Sequence, residues 1–133
     1  MIQALICWTP AVVWAGVLFF LSARPSWGAA AWLPGWADEA AHLVLYAVLG
    51  ATLAYGRARS GRPRRTLGHL ILPFLGILYG LSDEWHQSFV PGRDPSRSDL
   101  IADAVGVVVG YSLLFRHLNH EGASGGLSAS PRA

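Results

Sequence analysis

The segment LSDEWHQSFVPGRDPSRSDLIAD, residues 81–103, sets Asp83, Glu84, His86, Arg93, Asp94, Arg97, Asp99 and Asp103 between two of the most apolar runs of the chain. Elsewhere charge is scarce. Of 133 residues 53% are hydrophobic and 14% charged, and the mean hydropathy is +0.37. That balance lies above an ordinary soluble domain and points to a one-domain membrane protein. All ten basic residues are arginine, and the pI is near 9.1. In a soluble domain such a pI would suggest nucleic acid. Here the arginines flank apolar runs, where membrane orientation explains them, and no nucleic-acid partner is expected. Cys7 is the one cysteine and lies in an apolar run. This excludes an intrachain disulfide and a cysteine-only metal site, and suits a small buried hydrophobe.

Four apolar windows surround the segment: Ala4 to Leu21, Ala40 to Tyr55, Thr66 to about Leu81, and Leu100 to Phe115. A hydrocarbon core of about 30 Å takes about 20 helical residues. The last three windows reach that length only by extending into flanking polar residues, which draws charge to the membrane boundary. Helices are the expected state because a span must satisfy its backbone polar groups internally. The expectation is an all-α membrane protein, a four-transmembrane-helix bundle over residues 1–118, with a Gly/Ser-rich disordered tail at 119–133. The first window is read as a retained helix. No Lys or Arg precedes it, and the Ala-x-Ala pattern of WGAAAW lies well beyond its end. Pro10 and Pro73 fall near the inner ends of their spans, where a missing N–H costs little.

The loop GRARSGRPRR between the second and third windows carries Arg57, Arg59, Arg62, Arg64 and Arg65 and no acid. By the positive-inside rule it is cytoplasmic. With four spans, both termini share that side, and Arg116 and Arg132 join the inside set. Arg24, Arg93 and Arg97 are then outside, together with every acid except Glu121. The expected location is the bacterial cytoplasmic (inner) membrane, multi-pass, with the motif-bearing loops extracytoplasmic. Trp27, Trp32, Trp36 and Trp85 fit an aromatic belt on that outer side.

Orientation collects scattered residues into one constellation. Asp38, Glu39 and His42 open the second span, Asp83 to Gln87 close the third, and Asp99 and Asp103 open the fourth. Helical spacing puts Asp38, His42 and Tyr46 in one row. Asp83, His86 and Gln87 form a second row that continues through Tyr79, while Glu84 points about 100° away. Asp99 and Asp103 begin a third, which runs on through Gly106 and Gly110. Gly76 and Gly80 add a small-xxx-small pattern that permits close helix approach. If the glycine faces pack inward, the ionisable residues do too, and an ionisable residue at membrane depth usually faces a partner or a wet cavity.

Between the third and fourth spans, Pro91-Gly92 signals a turn, and Ser98 suits an N-cap, with Asp99 favourable in the first helical turn. Arg93 lies beside that turn near five acids, placed either for a balancing ion pair or as a bidentate donor to phosphate. His69, His117 and His120 belong to the inner interface.

These residues resemble the VanZ-like family of small bacterial integral membrane proteins. The likeness rests on DEAAHLVLYAVLG (38–50) and SDEWHQSFVPGRDPSRSDLIADAVGVVVG (82–110). The family is named for a protein that raises resistance to the glycopeptide antibiotic teicoplanin. The resemblance marks Asp38, His42, Tyr46, Asp83, Glu84, His86, Gln87, Pro91, Gly92, Arg93, Asp99 and Asp103. Two positions depart from the family pattern: Glu39, where lysine is common, and Asp103, where asparagine is frequent.

The leading expectation is a cell-envelope protein without catalysis. Its outward polar pocket, Asp38, His42, Tyr46, Asp83, Glu84, His86, Gln87, Arg93, Asp99 and Asp103, binds a lipid headgroup or a glycopeptide-related ligand. Arg93, Arg97, His42 and His86 would contact phosphate. The implied partners are membrane lipids, a lipid-linked envelope precursor, and a second copy docked through the glycine faces, with a link to glycopeptide resistance. No cofactor is expected on that reading. The alternative is a metal-assisted hydrolase or transferase acting on a lipid ester or phosphoester. Its catalytic candidates are Asp83, Glu84 and His86, and its Zn or Mn ligands would come from His42, His86, Asp83 and Asp103. Proton conduction would need a polar path along the spans, but the acids gather at one end.

Overall fold

The chain is represented by a computed structural model that describes residues 6–25, 34–61 and 66–126. Among the described residues every regular element is a helix: α1 (Thr9–Ser22), α2 (Ala37–Arg59), α3 (Thr66–Gln87) and α4 (Arg97–Gly126). Each outer bound follows from local chemistry. Pro10 sits in the first turn of α1, where no helical partner exists for its missing N–H. After α2, Gly61 takes a left-handed φ of 64°, the conformation that commonly ends helices. Val90, Pro91, Gly92 and Arg93 form a turn in which Arg93 N–H donates to the Val90 carbonyl at 3.1 Å and Gly92 has φ 77°. Proline followed by a positive-φ glycine is the type II pattern, so the turn signal in the sequence holds.

The windows lengthen as their charged flanks imply. α2 begins at Ala37, ahead of Asp38, and α3 runs through Asp83 and Glu84 to Gln87. α2 also continues through Arg57 and Arg59, so the first four residues of the arginine-bearing stretch are helix rather than loop. Arg62, Arg64, Arg65 and Arg132 lie outside the described residues, as do Trp27, Trp32 and the WGAAAW pattern. Helix α4 extends past residue 119 to Gly126, and residues 127–133 are outside the description. Pro73 is inside α3, seven residues beyond its start, so it removes an interior helical hydrogen bond rather than an idle donor. Cys7 is half-buried, and its thiol donates to the Arg59 carbonyl at 3.3 Å; it is not the fully enclosed hydrophobe its setting suggests.

Polarity is distributed inside out. Large apolar side chains cover the exterior, among them Val12, Val44, Leu70, Phe74, Ile101 and Leu113, each more than half exposed. The buried set contains His42, Asp83, Glu84, Gln87, Asp99 and Asp103 alongside Leu18, Tyr46, Leu49 and Val107. Water as solvent would reverse this arrangement, whereas hydrocarbon favours it. Two helices, Ala37–Arg59 and the Arg97–His120 part of α4, are long and apolar enough to cross a membrane.

Successive helices alternate in direction, so α2 and α4 run parallel and pack most closely. Glycine makes that approach possible. A Cβ at Gly110 would overlap the Ala47 carbonyl, one at Gly106 the Leu43 carbonyl, and one at Gly50 the Val107 carbonyl. On α3, Gly76 faces Val107 and Gly80 faces Asp103. The glycine rows read from the sequence are therefore seams within one chain. Helix α1 is fastened by Trp14, whose indole N–H donates to the Leu45 carbonyl at 2.9 Å, and by the Tyr79 hydroxyl, which donates to the Ala15 carbonyl at 2.6 Å.

Candidate functional site

The ends of α1 and α3 meet the beginnings of α2 and α4 at one end of the bundle, called here the polar end. His42 lies one and a half turns into α2 and Asp103 nearly two turns into α4, on the faces that the glycines bring together. The His42 Nδ1–H donates to Asp103 Oδ1 at 2.9 Å. Asp103 has no exposure at all and His42 is 7% exposed. The third member comes from α3. Glu84 Oε1 stands 4.0 Å from His42 Nδ1, and its Oε2 accepts the Ser96 N–H at 3.0 Å. Gly80, one turn before Glu84, offers no side chain, and a Cβ there would come within 3.0 Å of Asp103 Oδ2. The missing atom is what lets a buried carboxylate from α4 lie against α3.

The rows predicted for α2 and α4 hold: His42 and Tyr46 are buried together, and Asp99 and Asp103 are buried on α4. Asp38 remains exposed at the mouth. On α3 the outcome differs. Asp83 and Gln87 are buried and joined by a Gln87 Nε2 donation to Asp83 Oδ2 at 3.2 Å. Glu84, expected to point away from that row, is buried as well and turns toward His42. His86 instead stacks on Phe19 of α1, ring centroids 4.8 Å apart. Because α3 is flanked by α1 on one side and α4 on the other, two of its faces are interior. A single inward row was too narrow an expectation.

The connection after α3 also reassigns roles. Ser96, not Ser98, caps α4: its Oγ accepts the Ser98 N–H at 3.1 Å, and its carbonyl takes the first helical bond from Leu100 N–H. Ser98 donates its hydroxyl to Glu39 Oε1 at 3.2 Å, tying α4 to α2. Arg93 reaches neither row of acids in a direct bond. Its guanidinium donates to the Arg24 carbonyl at 3.2 Å and the Leu21 carbonyl at 3.4 Å, closing the carboxyl end of α1, where a cation is favoured. Arg97 opens α4 and is exposed. The expected phosphate cradle of Arg93, Arg97, His42 and His86 is thus distributed over separate places.

Four carboxylate oxygens at the polar end are buried with no hydrogen-bond partner among the described residues: Glu39 Oε2, Glu84 Oε1, Asp99 Oδ1 and Asp103 Oδ2. An uncompensated buried charge costs several kcal/mol as an order of magnitude. Two sets of side chains there could hold a metal ion, His42 with Glu84 and Asp103, and His42 with Asp38 and Asp99; in each the ligand atoms lie within 4.8 Å of one another. Neither set includes His86 or Asp83. Around this interior stand exposed aromatics, Trp36 at 68%, Trp85 at 69% and Phe89 at 68%, with Trp85 and Phe89 packed edge to face.

At the opposite end, His69 Nδ1 lies 3.0 Å from the Tyr111 hydroxyl and its ring packs against Phe115. Arg57 is buried beside Gly68. Sequence reasoning placed His69 away from the constellation, and the two ends are indeed distinct.

An inside-out helical bundle with a buried acid–histidine cluster near the ends of its helices defines a small helical membrane protein rather than a soluble helical domain. The particular family follows from the chain itself: residues 7–118 match VanZ/LLP1, and the protein belongs to that family. No curated protein and no solved structure matches the chain significantly.

Proposed function

We infer that this VanZ/LLP1 member is a multi-pass protein of the bacterial cytoplasmic membrane. All four helices span, both termini are cytoplasmic, and the polar end faces outward, where it binds the headgroup of an envelope lipid or lipid-linked precursor. The observation that carries this reading is the coincidence, at one end, of the buried His42–Glu84–Asp103 cluster with the exposed collar of Trp36, Trp85 and Phe89. Exposed tryptophans beside an apolar exterior belong at the headgroup level. An ionic cluster at that depth is retained where it has something polar to engage. The surplus of buried carboxylates supports a ligand that brings positive charge with it. The family name supports an effect on susceptibility to teicoplanin-type glycopeptides.

The test is lipid analysis of the chain purified in mild detergent, comparing wild type with His42→Gln and Glu84→Gln at matched abundance. Enrichment of one headgroup class over the bulk membrane, lost in both variants, is the expected result. Identical lipid profiles in folded wild type and variants would sink the headgroup reading. In a glycopeptide-sensitive host, wild type should raise the inhibitory concentration of teicoplanin at least about two-fold, and Glu84→Gln should not.

A further inference from the structure

We propose that His42, Glu84 and Asp103 hold a divalent cation of the zinc or manganese class, through which an anionic headgroup engages the chain; the second half rests on the headgroup reading above. Buried acids alone would not carry this. The further observation is that Glu84 Oε1, on a residue 7% exposed, has no hydrogen-bond partner among the described residues yet points to within 4.0 Å of His42 Nδ1. Asp103 Oδ2 is likewise unpartnered on a residue with no exposure.

The donor set suits the ion. One imidazole and two carboxylates form a mixed N,O site of the kind zinc and manganese accept. Two ligand atoms bound to one ion at about 2.0–2.1 Å stand about 2.9–3.4 Å apart. The present separations from His42 Nδ1, 2.9 Å to Asp103 Oδ1 and 4.0 Å to Glu84 Oε1, bracket that range. When the ion enters, the neutral imidazole carries its proton on Nε2, Nδ1 presents its lone pair, and Asp103 changes from hydrogen-bond acceptor to ligand. Three protein ligands leave a position open for a headgroup oxygen. The alternative triad through Asp38 and Asp99 uses an exposed carboxylate, whose competition with water weakens it.

Charge explains why the ion belongs with the headgroup. Glu39, Glu84, Asp99 and Asp103 converge here, and the one nearby arginine on the connecting turn, Arg93, is bonded to the Arg24 and Leu21 carbonyls. A phosphate brought to this place without a cation meets like charge. With a divalent ion at its base, the same cluster attracts it.

The experiment uses the full chain in detergent, stripped with chelator and titrated with manganese or zinc chloride alone. One ion per chain is expected, with electron spin-echo spectra of the manganese form showing one histidine nitrogen. Glu84→Gln and Asp103→Asn should each weaken binding at least about 10-fold, while Asp94→Asn, in the exposed turn, should leave it unchanged. Absence of stoichiometric metal in folded wild type overturns the site, as does coupling to no histidine or to two; both are read without any variant. Native mass spectrometry with added phosphatidylglycerol then separates the two halves. Retention that depends on the metal supports the proposal. Retention unchanged by chelator overturns the ion's role and leaves the headgroup reading standing. No retention in either state, with the metal bound, removes the headgroup reading and leaves the site.

Discussion

Gly110 and Gly16 are both helical glycines, and what surrounds them separates them. A methyl at Gly110 would collide with the Ala47 carbonyl on α2, whereas nothing lies within 4 Å of the corresponding position at Gly16. Gly110→Ala should therefore lower the stability of the bundle by about 1–3 kcal/mol, the usual effect of overpacking. Gly16→Ala should be neutral or stabilising by up to about 1 kcal/mol through helix propensity. Thermal unfolding of both variants in one detergent checks the pair, and equal effects would contradict the α2–α4 seam. Tyr79→Phe deletes one hydroxyl, which donates to the Ala15 carbonyl, and should cost about 0.5–1.5 kcal/mol in the same assay. At this scale the spacing of Gly106, Gly110, Asp99 and Asp103 was legible, because residues three or four apart share a helix face. The contribution of Gly80 was not: a residue without a side chain matters through the Asp103 carboxylate that another helix places against it.

Helix α1 shows what an element depends on beyond its own sequence. It is apolar but only 14 residues long, and the hydrogen bonds from Trp14, Tyr79 and Arg93 bind it to the rest. Arg93→Gln should loosen the carboxyl end of α1 alone. Hydrogen exchange is expected to rise at residues 21–24 and to stay unchanged along α2 and α4; uniform protection would show that the guanidinium does not hold that end. Helix α4 depends on its cap in the same way. Ser96→Ala removes the hydroxyl that accepts the Ser98 N–H and should cost about 0.5–2 kcal/mol. Ser98→Ala leaves that cap in place and should cost less. Reading Ser98 as the cap from sequence was natural, since either serine precedes an acid and an apolar run. The helix starts at Arg97 because the Ser96 backbone N–H is held by Glu84, a contact from 12 residues away.

For the whole molecule, the decisive quantity is which way the bundle sits in the bilayer. Arg57, Arg59 and Arg116 lie toward the end opposite the acids, which predicts that the polar end is extracytoplasmic. Cys7 is the only cysteine, so a Cys7→Ser background makes labelling clean. An impermeant maleimide applied to intact cells should modify Asp94→Cys and spare His120→Cys until the membrane is opened. Labelling in the reverse order would invert the topology and put the acid–histidine cluster on the cytoplasmic side.

The amino-acid sequence by itself determined that this is a helical membrane protein of the VanZ/LLP1 type, where its apolar windows lie, and that its acids other than Glu121 gather with two of its histidines near one level. Those properties depend on composition and on spacing along single helices, both of which are local. It did not determine which acid meets His42. Helical spacing fixes the angle between Asp83, Glu84 and His86, but not which angle faces the neighbours. Only the packing of α3 between α1 and α4 turned Glu84 toward Asp103, put His86 on Phe19, and directed Arg93 to the end of α1. The physical reason is that the facing of a helix is set by the close approach of its neighbours, here through glycine seams, and that information is shared among all the helices at once.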